Sequence, residues 1–153
     1  MLNRSSLSRI IYFSRCNLDR DQLVRDDQLD KLVRASRRQN EFALVTSILV
    51  MERGWFCHML EGDRDALNGT FRRIASDNRH KEVRIVEWRE IPRRELLPSL
   101  ELLDRNLITQ DILDKYLLDE AFTRGTPKPS AVHACILALQ QNLLAKRGIE
   151  ALT

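Results

Sequence analysis

Apolar residues along the 153-residue chain follow two periods, one of strands and one of helices. Ile10-Ile11-Tyr12-Phe13 is apolar at every position, as expected of a strand covered on both faces. The charged stretch Arg15–Arg25 has no period and predicts a surface loop. A helix should follow from Asp26 or Asp27, either of which can cap it, to about Asn40, with Leu29, Leu32, Val33 and Ser36 on one stripe. Ala43–Met51 predicts a long apolar strand, and Glu52-Arg53-Gly54 joins it as a hairpin to Trp55–Gly62.

In that last strand Phe56, His58 and Leu60 share one face, and Trp55, Cys57 and Met59 the other. A second helix spans Arg64 to Asp77, capped by Asp63, with Ala66, Leu67, Phe71 and Ile74 as its stripe and Gly69 as a weak point. Val83–Glu90 alternates, with Val83, Ile85 and Glu87 on one side and Val86 and Trp88 on the other. Pro92 and Pro98 bracket a loop before a short final strand at Ser99–Leu103.

The order β-α-β-β-α-β, plus one further strand, predicts a ferredoxin-like α+β sheet with two helices on one face. Two more helices follow. One runs from Thr109 to Phe122, with Ile112, Leu113, Tyr116 and Leu117 as its stripe. The other is capped by Ser130 and runs to about Arg147, with Val132, Cys135, Ile136, Leu139 and Leu143 on its apolar face. Strands that are apolar on both faces need cover on both, so this pair is expected opposite the first. Residues 1–103 then form the core, and 104–153 a helical cap of the same domain.

Composition narrows the function classes. Net charge is +3, from 25 basic and 22 acidic residues interspersed along the chain, which makes no electrostatic case for nucleic acid. The clusters Arg34/Arg37/Arg38 and Arg72/Arg73/Arg79 read first as solvated helix faces. Cys16, Cys57 and Cys135 are odd in number and lack metal-ligand spacing, and His80 and His133 lie far from His58 in sequence, so no metal site is expected. A reduced, cytoplasmic protein is the simplest expectation, and no apolar run approaches bilayer length. There is no activated nucleophile and no phosphate-cradling glycine loop, so the chain is not read as an enzyme. By pattern alone, His58 is a structural histidine in an apolar row.

Three strings give that row a further meaning: I-I-Y-F-S at Ile10–Ser14, R-R-Q-N…V-T-S from Arg37 to Ser47, and F-C-H-M-L-E-G…R-I-A-S-D-N-R-H from Phe56 to His80. Together they resemble the BLUF family, the flavin-based blue-light sensors, over roughly Arg9 to Leu103. The resemblance implies FAD held between the two helices that pack on the sheet. It places Tyr12 as electron donor, Asn40 as a hydrogen-bond partner of the flavin ring, and Arg73 and Asp77 near the rest of the cofactor. It also places Gly62 at the family's L-E-G glycine.

The departures fall on the photochemistry. The family's glutamine two residues before L-E-G is His58 here, and an imidazole cannot exchange donor and acceptor as an amide does. The positions of the final strand's tryptophan and methionine read Ser99 and Glu101, the glycine of I-T-G is Ser47, and the N-terminal loop is enlarged. Two readings follow. One is a BLUF-type sensory protein that binds FAD, with altered or lost blue-light switching. The other is a flavin-free fold that binds a protein partner, in which Glu101 beside His58 would raise the histidine pKa. For either, the resemblance implies a separate regulatory protein as partner, and self-association into a homo-oligomer.

Overall fold

The computed structural model describes residues 6–17, 44–97, 110–124 and 127–146, together with Lys31, Arg34 and Arg38. Its elements are β1 (Leu7–Cys16), β2 (Thr46–Glu52), β3 (Trp55–Asp63), α1 (Arg64–Ala75), β4 (His80–Glu90), α2 (Gln110–Lys115), α3 (Asp119–Arg124) and α4 (Pro129–Lys146). The strands form one antiparallel sheet in the order β2-β3-β1-β4, the ferredoxin-like arrangement expected from the element order. Lys31, Arg34 and Arg38 are helical. Asn40, Ser99, Glu101 and the expected final strand lie outside the described residues, as does the rest of the expected first helix.

β1 and β3 are the inner strands, flanked on both edges and covered on both faces. That is why their sequences show runs of apolar residues instead of a clean alternation. On one face Ile10, Tyr12, Val45, Leu60 and Leu67 pack with α1. On the other, Ile11, Phe13, Ile48, Val50, Trp55, Cys57 and Met59 meet Leu113, Leu118, Val132, Cys135, Ile136, Leu139 and Leu143. The C-terminal helices therefore lie opposite α1, as the need for double cover predicted. Among the described strands β4 lies at an edge, and it is rich in charged side chains, which discourage pairing with another chain.

The β2–β3 hairpin closes through Arg53 and Gly54, with φ of 52° and 79°. Positive φ at both central residues is the tight two-residue turn whose twist matches the strands. Arg53 also reaches beyond the turn. Its guanidinium meets the Asp119 carboxylate at 2.5 Å and the Thr123 hydroxyl at 3.3 Å, tying the hairpin tip to α3.

Several expectations are corrected. β1 extends into the expected loop, through Arg15 and Cys16. The β1–β4 pairing slips between Ile11 and Tyr12, leaving Val86 as an extra residue. The slip puts Trp88 opposite Ile10, on the α1 face, where its ring lies 5.7 Å from Phe71. Glu87 falls opposite Ile11, on the other face, where it bonds Arg9. Thus Glu87 does not share a face with Ile85, nor Trp88 with Val86. The expected helix Thr109–Phe122 is broken: Leu117 takes a left-handed φ of 56° and is 82% exposed, and Leu118 is buried in its place. α4 starts at Pro129, a residue suited to the first helical position, so Ser130 lies inside the helix. α1 ends at Ala75, two residues before the expected Asp77, with the Ser76 hydroxyl bonded to the Arg72 and Arg73 carbonyls at that end. Asp63 is its N-cap residue but makes no side-chain cap bond.

Two buried charge clusters fix the sheet to its surroundings. Glu61 of L-E-G is fully buried, and its carboxylate accepts the backbone N–H groups of Glu95 and Leu96 at 3.0 and 2.8 Å. Arg9, also buried, pairs with Glu87 at 2.6 Å and Glu95 at 3.0 Å, beside His133 of α4. In sequence, both residues look like ordinary surface charges.

Candidate functional site

Tyr12 and His58 sit directly opposite one another on β1 and β3. Their side chains emerge on the α1 face, and Tyr12 Oη lies 2.9 Å from His58 Nδ1 in a buried hydrogen bond. The rings meet edge to face, with centroids 5.4 Å apart. Burial pushes the tyrosine pKa up. Burial, with a smaller contribution from neighbouring His80, pushes His58 down to about 3, so the imidazole is neutral.

Around this pair lies a cavity of about 50 Å³ lined by Tyr12, Leu49, Phe56, His58, Ile74, Asp77, Arg79 and His80. Two of its lining side chains carry buried nitrogens without a partner, His58 Nε2 and Arg79 Nη1. Each unsatisfied buried nitrogen costs on the order of 1–3 kcal/mol. In a native fold such groups are met by a ligand or by ordered water, and a cavity of this size has room for water. The expected Glu101 partner lies outside the described residues. The described surroundings move the His58 pKa down, opposite to the rise that such a pair would give.

The remaining expected site residues separate. Asp77 lines the cavity, and its Oδ1 accepts the Arg79 backbone N–H at 2.9 Å, which turns the chain from α1 into β4. Arg73 is exposed on α1 and donates to Thr70 Oγ1 at 3.2 Å, away from the cavity lining. Gly62 marks a close approach: a Cβ there would stand 3.1 Å from Val45 Cγ2.

Arg79 and His80 are functional candidates that reasoning from spacing passed over. His80 is remote from His58 in sequence, but β1–β4 pairing places it opposite Cys16 and brings its ring within 6.1 Å of Tyr12. Its Nε2 faces the Ile74 carbonyl, which can only accept, so that nitrogen carries a proton, and Nδ1 lies 2.7 Å from the Ser14 hydroxyl. The D-x-R-H string was the available signal: its Asp77, Arg79 and His80 all reach one cavity. Among the described residues, no cluster of His, Cys, Asp or Glu could hold a metal ion, and no helix is long and apolar enough to cross a membrane.

The model of the family described as BLUF, sensors of blue-light using FAD, matches residues 7–97, more than half of the chain. The chain belongs to the BLUF family. Solved structures agree with this at the level of the fold. BlsA in its photo-activated state is 17% identical, with a TM-score of 0.73 over 88% of this chain and 94% of that one. BlrB in its dark state is 24% identical, with a TM-score of 0.68 over 88% and 98%. BlrP1 of Klebsiella pneumoniae, solved as a manganese and cyclic-diGMP complex, is 27% identical, with a TM-score of 0.62 over 78% of this chain and 33% of its own longer one. No curated protein matches the chain.

BLUF domains use FAD, whose flat ring and heteroaromatic edge set what such a site must offer. Leu49, Phe56 and Ile74 offer apolar surface to a flat ring, and His58 Nε2 and Arg79 Nη1 are buried polar atoms that a heteroaromatic edge would satisfy. The donor set fits a flavin.

Proposed function

We propose that this BLUF chain is a sensory protein that holds FAD against Tyr12, His58 and Asp77, and that His58 gives it a light response different from that of glutamine-bearing members. Asn40 and Arg73 belong to the same proposal, through the motif positions they occupy. The observation that carries it is the Tyr12–His58 hydrogen bond, with His58 Nε2 left buried and unpartnered beside a cavity. When bound, FAD supplies blue-light absorption and an electron acceptor. The chain supplies an oxidisable phenol at Tyr12, held by its hydrogen bond to His58 in a buried site. It also supplies at His58 a ring whose two nitrogens point in opposite directions. A glutamine can turn its amide and exchange a donor for an acceptor at one point, whereas the imidazole presents one nitrogen to Tyr12 and the other elsewhere.

Output through a separate regulatory protein, self-association, and 104–153 acting as a cap of the same domain are parts of this reading. The double-sided packing of the sheet supports the last of these. A second reading, a flavin-free interaction module, is favoured by one observation. The cavity lined by the described residues is about 50 Å³, far below the roughly 300–1,000 Å³ usual for ligand pockets.

The deciding experiment is the visible spectrum of the purified protein. Yellow protein that releases FAD on denaturation supports the first reading. In such protein, illumination should give no ordinary red shift, and His58→Gln should gain one. Colourless, folded protein that takes up no added FAD overturns it in favour of the second.

A further inference from the structure

The Tyr12–His58 hydrogen bond can be written in two ways, and they differ in what the site offers a ligand. If His58 Nδ1–H donated to Tyr12 Oη, the phenol proton would have no acceptor and the Nε2 lone pair no donor. Two buried groups would go unsatisfied, since among the described residues Tyr12 Oη has no other partner. If the phenol donates to Nδ1, only the Nε2–H is left without a partner. Each buried orphan is costly, so the second arrangement is the stable one. The basicities agree: an imine nitrogen accepts better than a phenol oxygen, and a phenol donates well.

We infer that Tyr12 fixes His58 in the Nε2–H tautomer, so that the site offers its ligand a hydrogen-bond donor, and not an acceptor, at this point. Tyr12 thereby acts as a positioning residue. The imidazole has no second proton to give, because burial and His80 hold it neutral. Arg79, whose side chain lines the cavity and carries the other orphan at Nη1, is likewise only a donor. The part of the ligand met here must therefore be an acceptor, a carbonyl oxygen or an unprotonated ring nitrogen. An N–H at either point would leave two donors facing each other. For FAD this deepens the proposed function and rests on it, but the tautomer itself is a property of the free protein.

The test is nitrogen-15 NMR of histidine-labelled protein, read through the ring's carbon-bound protons, which report each nitrogen as protonated or not. The flavin-free protein should show His58 Nδ1 unprotonated and Nε2 protonated at pH 7. His80 serves as an internal reference, because its bond to the Ile74 carbonyl demands a proton on Nε2. In Tyr12→Phe the lock is gone, and His58 should move toward a mixture of tautomers while His80 keeps its own. Should that variant fail to fold, the wild-type spectrum alone decides. A wild-type His58 protonated at Nδ1, or a mixture of tautomers, overturns the inference.

Adding FAD should shift the His58 Nε2 signal while it stays protonated. A bound state in which Nε2 has lost its proton overturns the donor-only site. FAD that leaves every histidine signal unmoved overturns the flavin reading but leaves the tautomer result standing.

Discussion

The Glu61 carboxylate lies 2.8 Å from the backbone N–H of Leu96 and accepts the Glu95 N–H as well. It thereby stitches the loop after β4 to the end of β3, on the face occupied by the C-terminal helices. Glu61→Ala should leave two backbone donors without an acceptor and cost about 2–5 kcal/mol. The measurement is urea unfolding with the slope held equal. A loss under about 0.5 kcal/mol would show that the loop does not depend on this carboxylate.

Arg9 is the cation of a buried cluster with Glu87 and Glu95. Removing it alone, as Arg9→Met, should cost about 3–5 kcal/mol, because Glu87 loses its cation in a poorly solvated place, while the more exposed Glu95 keeps His133 Nε2 at 3.1 Å. Arg9→Met combined with Glu87→Gln should recover part of the loss. The double-mutant cycle checks this, and strict additivity would count against coupling.

The protonation of His58 gives acid sensitivity with a definite sign. Its folded pKa is pushed from 6.5 to about 3, so between those values the unfolded chain binds a proton that the folded one refuses. Stability is fully present above about pH 6.5 and falls by about 1.4 kcal/mol for each pH unit below it. Unfolding free energies at pH 7, 6 and 5 should therefore fall more steeply in the wild type than in His58→Gln. Parallel curves for the two proteins would contradict a buried neutral imidazole.

Two glycines should respond to alanine with opposite signs. Gly69 lies inside α1 with nothing within 4 Å of a Cβ, so Gly69→Ala should stabilise by about 0.5–1 kcal/mol. Gly54 is equally open in space but has a φ of 79°, so Gly54→Ala should destabilise by about 1–2 kcal/mol through the backbone alone. Thermal melts of the two variants should move in opposite directions.

The thiols should separate by reactivity. Cys57 and Cys135 face a cavity of about 10 Å³ between β3 and α4, and burial pushes Cys57 up and Cys135 to about 12. A disulfide reagent should modify the half-buried Cys16 first and the other two only on unfolding. Rapid modification of all three would mean that the α4 interface opens readily.

Much of the sheet was legible because its signals are local. The two-residue hairpin, the facing of His58 with Phe56 and Leu60, and the stripe Leu67, Phe71 and Ile74 follow from turn chemistry and from periods of 2 and 3.6. What escaped depends on partners distant in the chain. The inserted Val86 reverses which side Glu87 and Trp88 take, and no alternation pattern announces a bulge. Buried Arg9 and Glu61 are indistinguishable in sequence from solvated charges until the carboxylates and N–H groups around them are located. The break at Leu117 depends on which of two adjacent leucines fits under α4, a question of packing rather than periodicity. His80 joins the candidate site only through strand pairing. Tyr12 and His58 were readable because a family motif marks both.

Arg53 holds two demands that no single residue type meets best. Its φ of 52° is a conformation for which glycine or asparagine is better suited, while its guanidinium grips α3 in a way that neither could. A library of variants at this position, selected only for forming the isolated hairpin, should converge on Asn or Gly. Selection on the whole domain should return arginine. The residue preferred at position 53 would thus report whether the C-terminal helices were docked when the choice was made.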